Sequence, residues 1–208
     1  MLKVKICGLK FPHNISQLAE IRPDYMGFIF YSQSKRYCEG FFEAEFMDTL
    51  PTSIIKIGIF VNENVDSILK VVKKYGLNIV QLHGRETPEI CAELKDHGKT
   101  TIKAFQVDQN FNFQHLELYN TFCDYFLFDT KSLMYGGSGI TFDWSLLQNY
   151  SNEKPFFLSG GIDIEHLDKI KEMKHLNIHA IDINSKFETS PGIKDVDKVA
   201  QFIKLIRQ

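Results

Sequence analysis

Eight times along the chain a short run rich in β-branched and aromatic residues closes on or beside Gly, Asn, Asp or Ser. The runs are KVKICG, YMGFIFY, IIKIGIFVN, IVQLHG, TIKAFQV, YFLFDT, FFLSGG and AIDINS, at roughly even spacing. Between several of them the apolar spacing changes from that of a strand to that of a helix. VDSILKVVKKYG sets Val65, Ile68, Leu69 and Val72 on one face and closes at Gly76. TPEICAELKDHG offers Thr87 as a cap, Pro88 at the first helical position, a stripe of Ile90, Cys91 and Leu94, and Gly98 as a stop. DIEHLDKIKEMKHL and DVDKVAQFIKLIRQ repeat the pattern, while the segments after the first, second and fifth strands carry shorter versions of it. Strand and crossover alternating eight times imply parallel strands joined by right-handed connections, and eight such units close most economically into a (β/α)8 TIM barrel. An open doubly wound sheet is the alternative, but the first turn, ICGLKFPHN, lacks the glycine-rich dinucleotide fingerprint. No linker divides the chain, so residues 1–208 are expected to form one α/β barrel domain.

A formal net charge of -2 gives no long-range attraction to nucleic acid or to an anionic membrane, so a small molecule is the expected partner. Cys7, Cys38, Cys91 and Cys123 show no CxxC spacing, which fits reduced thiols in a cytoplasmic protein rather than a disulfide framework or a zinc site. Neither a signal segment nor a membrane span of the usual ~20 apolar residues is visible.

In such a barrel, reactive groups gather at the C-terminal ends of the strands, which here carry Cys7, His83, Asp129, Ser159 and Asp182. Strand alternation puts Lys5 with Cys7, Gln81 with His83, and Asp182 with Asn184 on matching faces, taken as the barrel interior. Any one of these suits a hydrogen-bonded core position, and a buried structural cysteine is the plainer reading of Cys7 alone. Their convergence at one mouth favours a pocket. Glycine-rich or polar turns after the seventh and eighth strands, LSGGID and INSKFETSPG, offer backbone N–H groups to a phosphate. GGSG at 136–139 reads as a loop able to close over the site. Cys91 is expected in the core, Cys123 as filler entering the sixth strand, and Cys38 in an exposed, oxidisable loop.

KICG, GFIF with SKRY, GIFVN, VQLHG, FDT with GGSG and TFDW, LSGGI, and DINSKFE with SPGIKD occur in an order and spacing that resemble the phosphoribosylanthranilate isomerase family over the whole chain. The resemblance implies an Amadori rearrangement in tryptophan biosynthesis, with Cys7 as general base and Asp129 as general acid. It also implies that Arg36 binds the anthranilate carboxylate, that Asp182 lies near the substrate, and that Gly160, Gly161 and Ser185 hold the phosphate. His83 falls at a familiar position, where it either orients a substrate hydroxyl or packs. No metal, redox cofactor or nucleotide is implied, and such barrels act as monomers or homodimers.

The chemistry makes its own demands. Opening the furanose ring needs a proton on the ring oxygen, and the resulting iminium must lose a proton from C2′. A thiol ionises at about 8.5 and serves as a base near neutrality only beside a cation, for which Lys5 is the candidate. Asp129 must instead stay protonated long enough to donate. Arg36 suits a carboxylate through its planar fork. Two segments depart from the family pattern: Lys186–Phe187 stands where Gly-Val is common, and Ile140 where a lysine is common. The rival readings are another phosphate-binding sugar isomerase or epimerase, and a barrel that binds a ligand without catalysis.

Overall fold

The structure is a computed structural model and describes residues 1–130, 143–151 and 153–208. Strands β1 (Lys3–Ile6), β2 (Tyr25–Ile29), β3 (Ile55–Phe60), β4 (Ile79–Leu82), β5 (Thr100–Val107), β6 (Tyr125–Thr130), β7 (Phe156–Leu158) and β8 (Ile178–Ile183) pair in chain order and in parallel. β8 returns to β1 with Lys5 opposite Asp182, which closes the expected barrel. A two-stranded antiparallel ribbon, β9 (Glu188–Ser190) with β10 (Ile193–Lys194), follows the eighth strand.

The outer layer is less uniform than the alternation of patterns suggests. Helices α1 (Pro12–Glu20), α2 (Val65–Tyr75), α3 (Pro88–Asp96) and α5 (Val196–Ile206) flank a short α4 (Leu167–Glu172). Short 3-10 helices at Ala44–Thr49, Phe113–Tyr119 and Trp144–Asn149 serve the remaining crossovers. α2 follows its sequence signals closely: Asn64 accepts from Ser67 N–H at its start, and Gly76 turns left-handed at its end with φ of 57°. At α3, Pro88 occupies the first turn as expected, but Thr87 makes no side-chain cap hydrogen bond. Residues 163–176, expected as one helix, begin with a 3-10 turn capped by Asp163 and His166 and leave the helix after Glu172. There Leu176 N–H folds back to the Met173 carbonyl, a tighter turn that feeds β8.

Two apolar layers result. Between sheet and crossovers lies the larger, which includes Cys91, Cys123 and, against expectation, Cys38. Cys38 is fully buried because the loop after β2 doubles back, bridging Tyr37 to Ile29 and sending the Cys38 N–H to the Ile29 carbonyl. Burial pushes its thiol up to about 12, so the exposed, oxidisable thiol expected there is not found. Inside the barrel, Tyr25, Ile57, Ile59, Ile79, Ile102, Ala104, Leu127, Phe157 and Ala180 fill the lumen below Cys7. No helix among the described residues is long and apolar enough to cross a membrane. GGSG at 136–139 and Ile140, expected to belong to a closing loop, lie outside the described residues.

Candidate active site

Cys7 follows the last residue of β1, its N–H bonded to the Ile183 carbonyl of β8 at 2.9 Å. It lines one cavity with His83, Asp129, Gly160, Gly161, Asp182 and Ser185, so seven of the eight residues singled out from sequence meet at the C-terminal mouth. The eighth, Arg36, stands just behind Gly8: a Cβ on that glycine would lie 2.6 Å from Arg36 Cδ and 2.8 Å from Asn184 Oδ1.

The alternation predicted from sequence puts Lys5, Gln81 and Asp182 inward, where they form one buried network. Lys5 Nζ donates to Gln81 Oε1 at 2.7 Å and to Asp182 Oδ2 at 3.1 Å. Gln81 Nε2 lies 2.8 Å from His83 Nδ1, and His83 Nε2 lies 3.3 Å from Asp129 Oδ2. That last approach has ion-pair distance without hydrogen-bond alignment, since His83 Nε2 makes no hydrogen bond among the described residues. Gly27 makes room for the network: a Cβ there would sit 3.1 Å from Lys5 Cε and 3.2 Å from Cys7 Sγ.

Burial dominates the electrostatics of the thiol. Burial pushes the Cys7 thiol up, and Lys5 and Lys194, which pull the other way, do not overcome it. Lys5 is already held by Asp182. Burial would lower the Lys5 ammonium, but Asp182 and Cys7 outweigh it and hold the group above its usual value. Asp182 is pushed up by its own burial despite Lys5. Lys5 thus acts on the thiol in the expected direction but is shared, and the resting thiol ionises above the ordinary range.

A second buried network was not anticipated from sequence. Glu188 of β9 accepts from Arg36 Nε at 2.8 Å and from Arg36 Nη2 at 2.6 Å, a bidentate pair. Its Oε1 also accepts from Lys194 Nζ at 2.7 Å, and Lys194 donates to Asn184 Oδ1 at 2.6 Å. Arg36 and Lys194 hold the Glu188 carboxyl below its usual range although burial opposes them. Burial lowers the Lys194 ammonium to about 8. Both residues lie in the quoted motifs DINSKFE and SPGIKD; two opposite charges flanking a tight Pro-Gly turn were the available signal.

On the other side of the mouth, Asp129 Oδ1 accepts from Thr130 N–H at 2.8 Å. Gly160 has φ of 93°, a left-handed conformation that glycine adopts without strain, and Gly161 follows at 61°. The space above Gly160 is closed to any side chain, because a Cβ there would lie 2.8 Å from Thr130 N and 3.1 Å from Asp129 Oδ1. Ser185 opens a 3-10 turn, Ser185–Phe187, with Lys186 beside it at the cavity. The departure from Gly-Val at Lys186–Phe187 therefore builds a turn whose Phe187 is buried against Phe202 of α5. Among the described residues no group of three or more His, Cys, Asp or Glu is arranged to hold a metal ion.

Residues 4–205 match the family profile described as PRAI, N-(5'phosphoribosyl)anthranilate (PRA) isomerase. The N-(5'-phosphoribosyl)anthranilate isomerase of Parabacteroides distasonis is 43% identical over 204 residues, covering 98% of this chain and 92% of that protein. That of Phocaeicola vulgatus is 43% identical, covering 99% of this chain and 98% of its own. The crystal structure of phosphoribosyl anthranilate isomerase from Thermotoga maritima superposes with a TM-score of 0.89 at 36% identity, covering 100% of this chain and 99% of that one. A phosphoribosyl anthranilate isomerase in complex with reduced 1-(o-carboxyphenylamino)-1-deoxyribulose 5-phosphate superposes at 0.85 with 32% identity, covering 100% of this chain and 99% of that one. With the mouth of the barrel lined as described and the match running nearly end to end, the chain belongs to the N-(5'-phosphoribosyl)anthranilate isomerase family.

Proposed function

We propose that Cys7 and Asp129 perform the two proton transfers by which this isomerase carries out the Amadori rearrangement of phosphoribosylanthranilate in tryptophan biosynthesis. The observation that carries the reading is that a thiol and a carboxyl group reach one cavity from different strands, β1 and β6, with β7 and β8 between them on the shorter way round the barrel. Asp129 gives its proton to the furanose ring oxygen as the C1′–oxygen bond breaks and the anilino nitrogen forms the iminium. Cys7 then takes the proton from C2′, leaving the enolamine that tautomerises to the 1-amino-2-ketose.

A thiol held above its ordinary pKa is a stronger base once ionised, though less of it is ionised at neutral pH. The iminium acidifies C2′–H and adds positive charge close to Cys7, so the thiolate is favoured at the step that needs it. We assign phosphate binding to the backbone N–H groups at Gly160 and Gly161 with Ser185, supported by the left-handed turn that aligns those amides. Arg36 is assigned the anthranilate carboxylate: Glu188 uses two of its five N–H donors and fixes the plane of the fork. Asp182 contacts the sugar through Oδ1, a buried oxygen without a hydrogen bond among the described residues. The reading needs no metal, cofactor, nucleic acid or membrane, and takes the chain to work in the cytoplasm as a monomer or homodimer.

The test is turnover of freshly generated phosphoribosylanthranilate, followed by loss of its fluorescence, without added metal. Cys7→Ala and Asp129→Asn should each lower kcat by about 10²–10⁴-fold or more while product affinity stays within about threefold. Substantial turnover by either variant would remove that residue from the chemistry.

A further inference from the structure

We propose that Lys5 and Gln81 lock His83 as the Nε2–H tautomer, making it a fixed donor that receives the carboxylate Asp129 becomes on giving up its proton. The second half rests on the reading of Asp129 as the acid; the lock itself does not.

The lock follows from which atoms can donate. A lysine ammonium has only donors, so the Gln81 atom 2.7 Å from Lys5 Nζ must be the amide oxygen. The other end of that amide is then the NH2 group, 2.8 Å from His83 Nδ1. An NH2 group only donates, so Nδ1 must present its lone pair, and the single proton of the neutral ring stands on Nε2. Turning the amide over would set NH2 against the Lys5 ammonium, and Asp182 Oδ2 holds that ammonium in place at 3.1 Å. Lys5 and Gln81 are 0% and 1% exposed, so water does not compete for these bonds.

The donor has no hydrogen bond of its own. His83 Nε2 is buried and unbonded among the described residues, and the nearest carboxylate oxygen is Asp129 Oδ2 at 3.3 Å. Thr130 N–H engages the other oxygen, Oδ1, so Oδ2 is the one left to carry the transferable proton. When the Oδ2–H bond breaks, the proton goes to the ring oxygen and the C1′–oxygen electron pair goes with it. The negative charge that remains on Oδ2 then lies 3.3 Å from a preset N–H, into line with which a turn of the Asp129 carboxyl brings it. A donor poorly engaged beforehand and well engaged after proton transfer lowers the barrier more than it stabilises the resting state. Lys5 and Gln81 are positioning residues in this scheme, because they act only through His83.

The tautomer is read by long-range 1H–15N correlation spectra of the 15N-labelled chain, with His83 assigned from the spectrum of His83→Gln. Nδ1 should show the shift of an unprotonated imidazole nitrogen and Nε2 that of a protonated one. Gln81→Glu supplies an acceptor to Nδ1 and should move the proton there, with kcat falling roughly 10- to 100-fold, less than the ~10²–10³-fold lost when an oxyanion donor is removed outright. KM should stay within about threefold. His83→Gln, which keeps an N–H near the Nε2 position, should retain more kcat than His83→Leu. A wild-type proton on Nδ1 overturns the proposal, as does a Gln81→Glu chain that switches tautomer at unchanged kcat. If Gln81→Glu does not fold, the wild-type spectrum and the two His83 variants decide it, equal kcat values for that pair counting against it. An Asp129→Asn chain that still turns over beside an intact Nε2–H tautomer would refute the acid assignment and leave the lock standing.

Discussion

Replacing Glu188 by Gln should destabilise the barrel and loosen its grip on substrate together. In the native chain the carboxylate accepts two bonds from Arg36 at 2.8 and 2.6 Å, one from Lys194 at 2.7 Å and one from Gly192 N–H at 3.1 Å. Its side chain is 5% exposed and that of Lys194 is 0% exposed. A glutamine has one acceptor oxygen, so in either orientation it sets an NH2 against an Arg36 donor, and in one of them against Lys194 as well, and it strips the counter-charge from a buried ammonium. Breaking one side of a buried pair costs about 3–5 kcal/mol. At ~2–4 °C per kcal/mol for a domain of this size, Tm should fall by roughly 6–20 °C. The pH dependence supplies an independent check. Glu188 titrates below its unfolded value, so its stabilisation is present above about pH 4.3 and disappears as pH falls through the lower, folded value. Wild type should therefore lose stability across that acid window, and Glu188→Gln should lose less of it. Thermal melts by circular dichroism at pH 7 and through the acid range measure both, and initial rates measure KM, which should rise as Arg36 loses its fixed plane. A variant melting within about 2 °C of wild type would refute the reasoning from buried charge.

Direct titration of the Cys7 thiol, read as the ultraviolet thiolate absorbance of wild type minus that of Cys7→Ala, should show an alkaline midpoint above the ~8.5 of a free thiol, because burial holds Cys7 protonated; a midpoint below that value would contradict the electrostatics described. Gly27→Ala should cost about 1–3 kcal/mol by overpacking, and should also depress kcat, since its methyl group falls 3.1 Å from Lys5 Cε and 3.2 Å from Cys7 Sγ. Denaturant titration and initial rates detect the two effects, and a chain unchanged in both would mean the lumen is looser than these distances. An aromatic disulfide reagent should leave Cys38, Cys91 and Cys123 unmodified in the folded chain and reach all three in denaturant, because each is 5% exposed or less; rapid native labelling of Cys38 followed by peptide mapping would contradict its burial.

The strands were legible because each is buried on both faces and so reads as a compact apolar run, and their C-terminal residues could be named from period alone. The same alternation correctly turned Lys5, Gln81 and Asp182 inward. The crossovers were less legible. Where an outer segment is short, as at Phe113–Tyr119 or Ile164–Glu172, aromatic packing and 3-10 turns cover the sheet without a full helix, and periodicity does not distinguish these outcomes. Cys38 was misjudged because a local bridge from Tyr37 to Ile29 decides its burial. The Arg36–Glu188 pair joins residues 152 positions apart, and the charges flanking Pro191-Gly192 do not tell which distant residue Glu188 meets. Lys5 is the cation expected beside Cys7; its bonds to Asp182 and Gln81 depend on the barrel closing, which sequence spacing does not reveal.

That closure has a kinetic meaning. The contacts that close the barrel join distant parts of the chain: Lys5 to Asp182 across 177 positions, Asn14 to the Lys194 backbone across 180, and, at the opposite end from the site, Arg207 to Asp24 across 183. Loop closure over such separations is slow relative to local helix and turn formation. During synthesis Cys7 is made long before Asp182, Glu188 and Lys194, which complete the charge around it. The thiol has no complete cavity until those contacts form, so on refolding isomerase activity should return after the far-ultraviolet signal rather than with it.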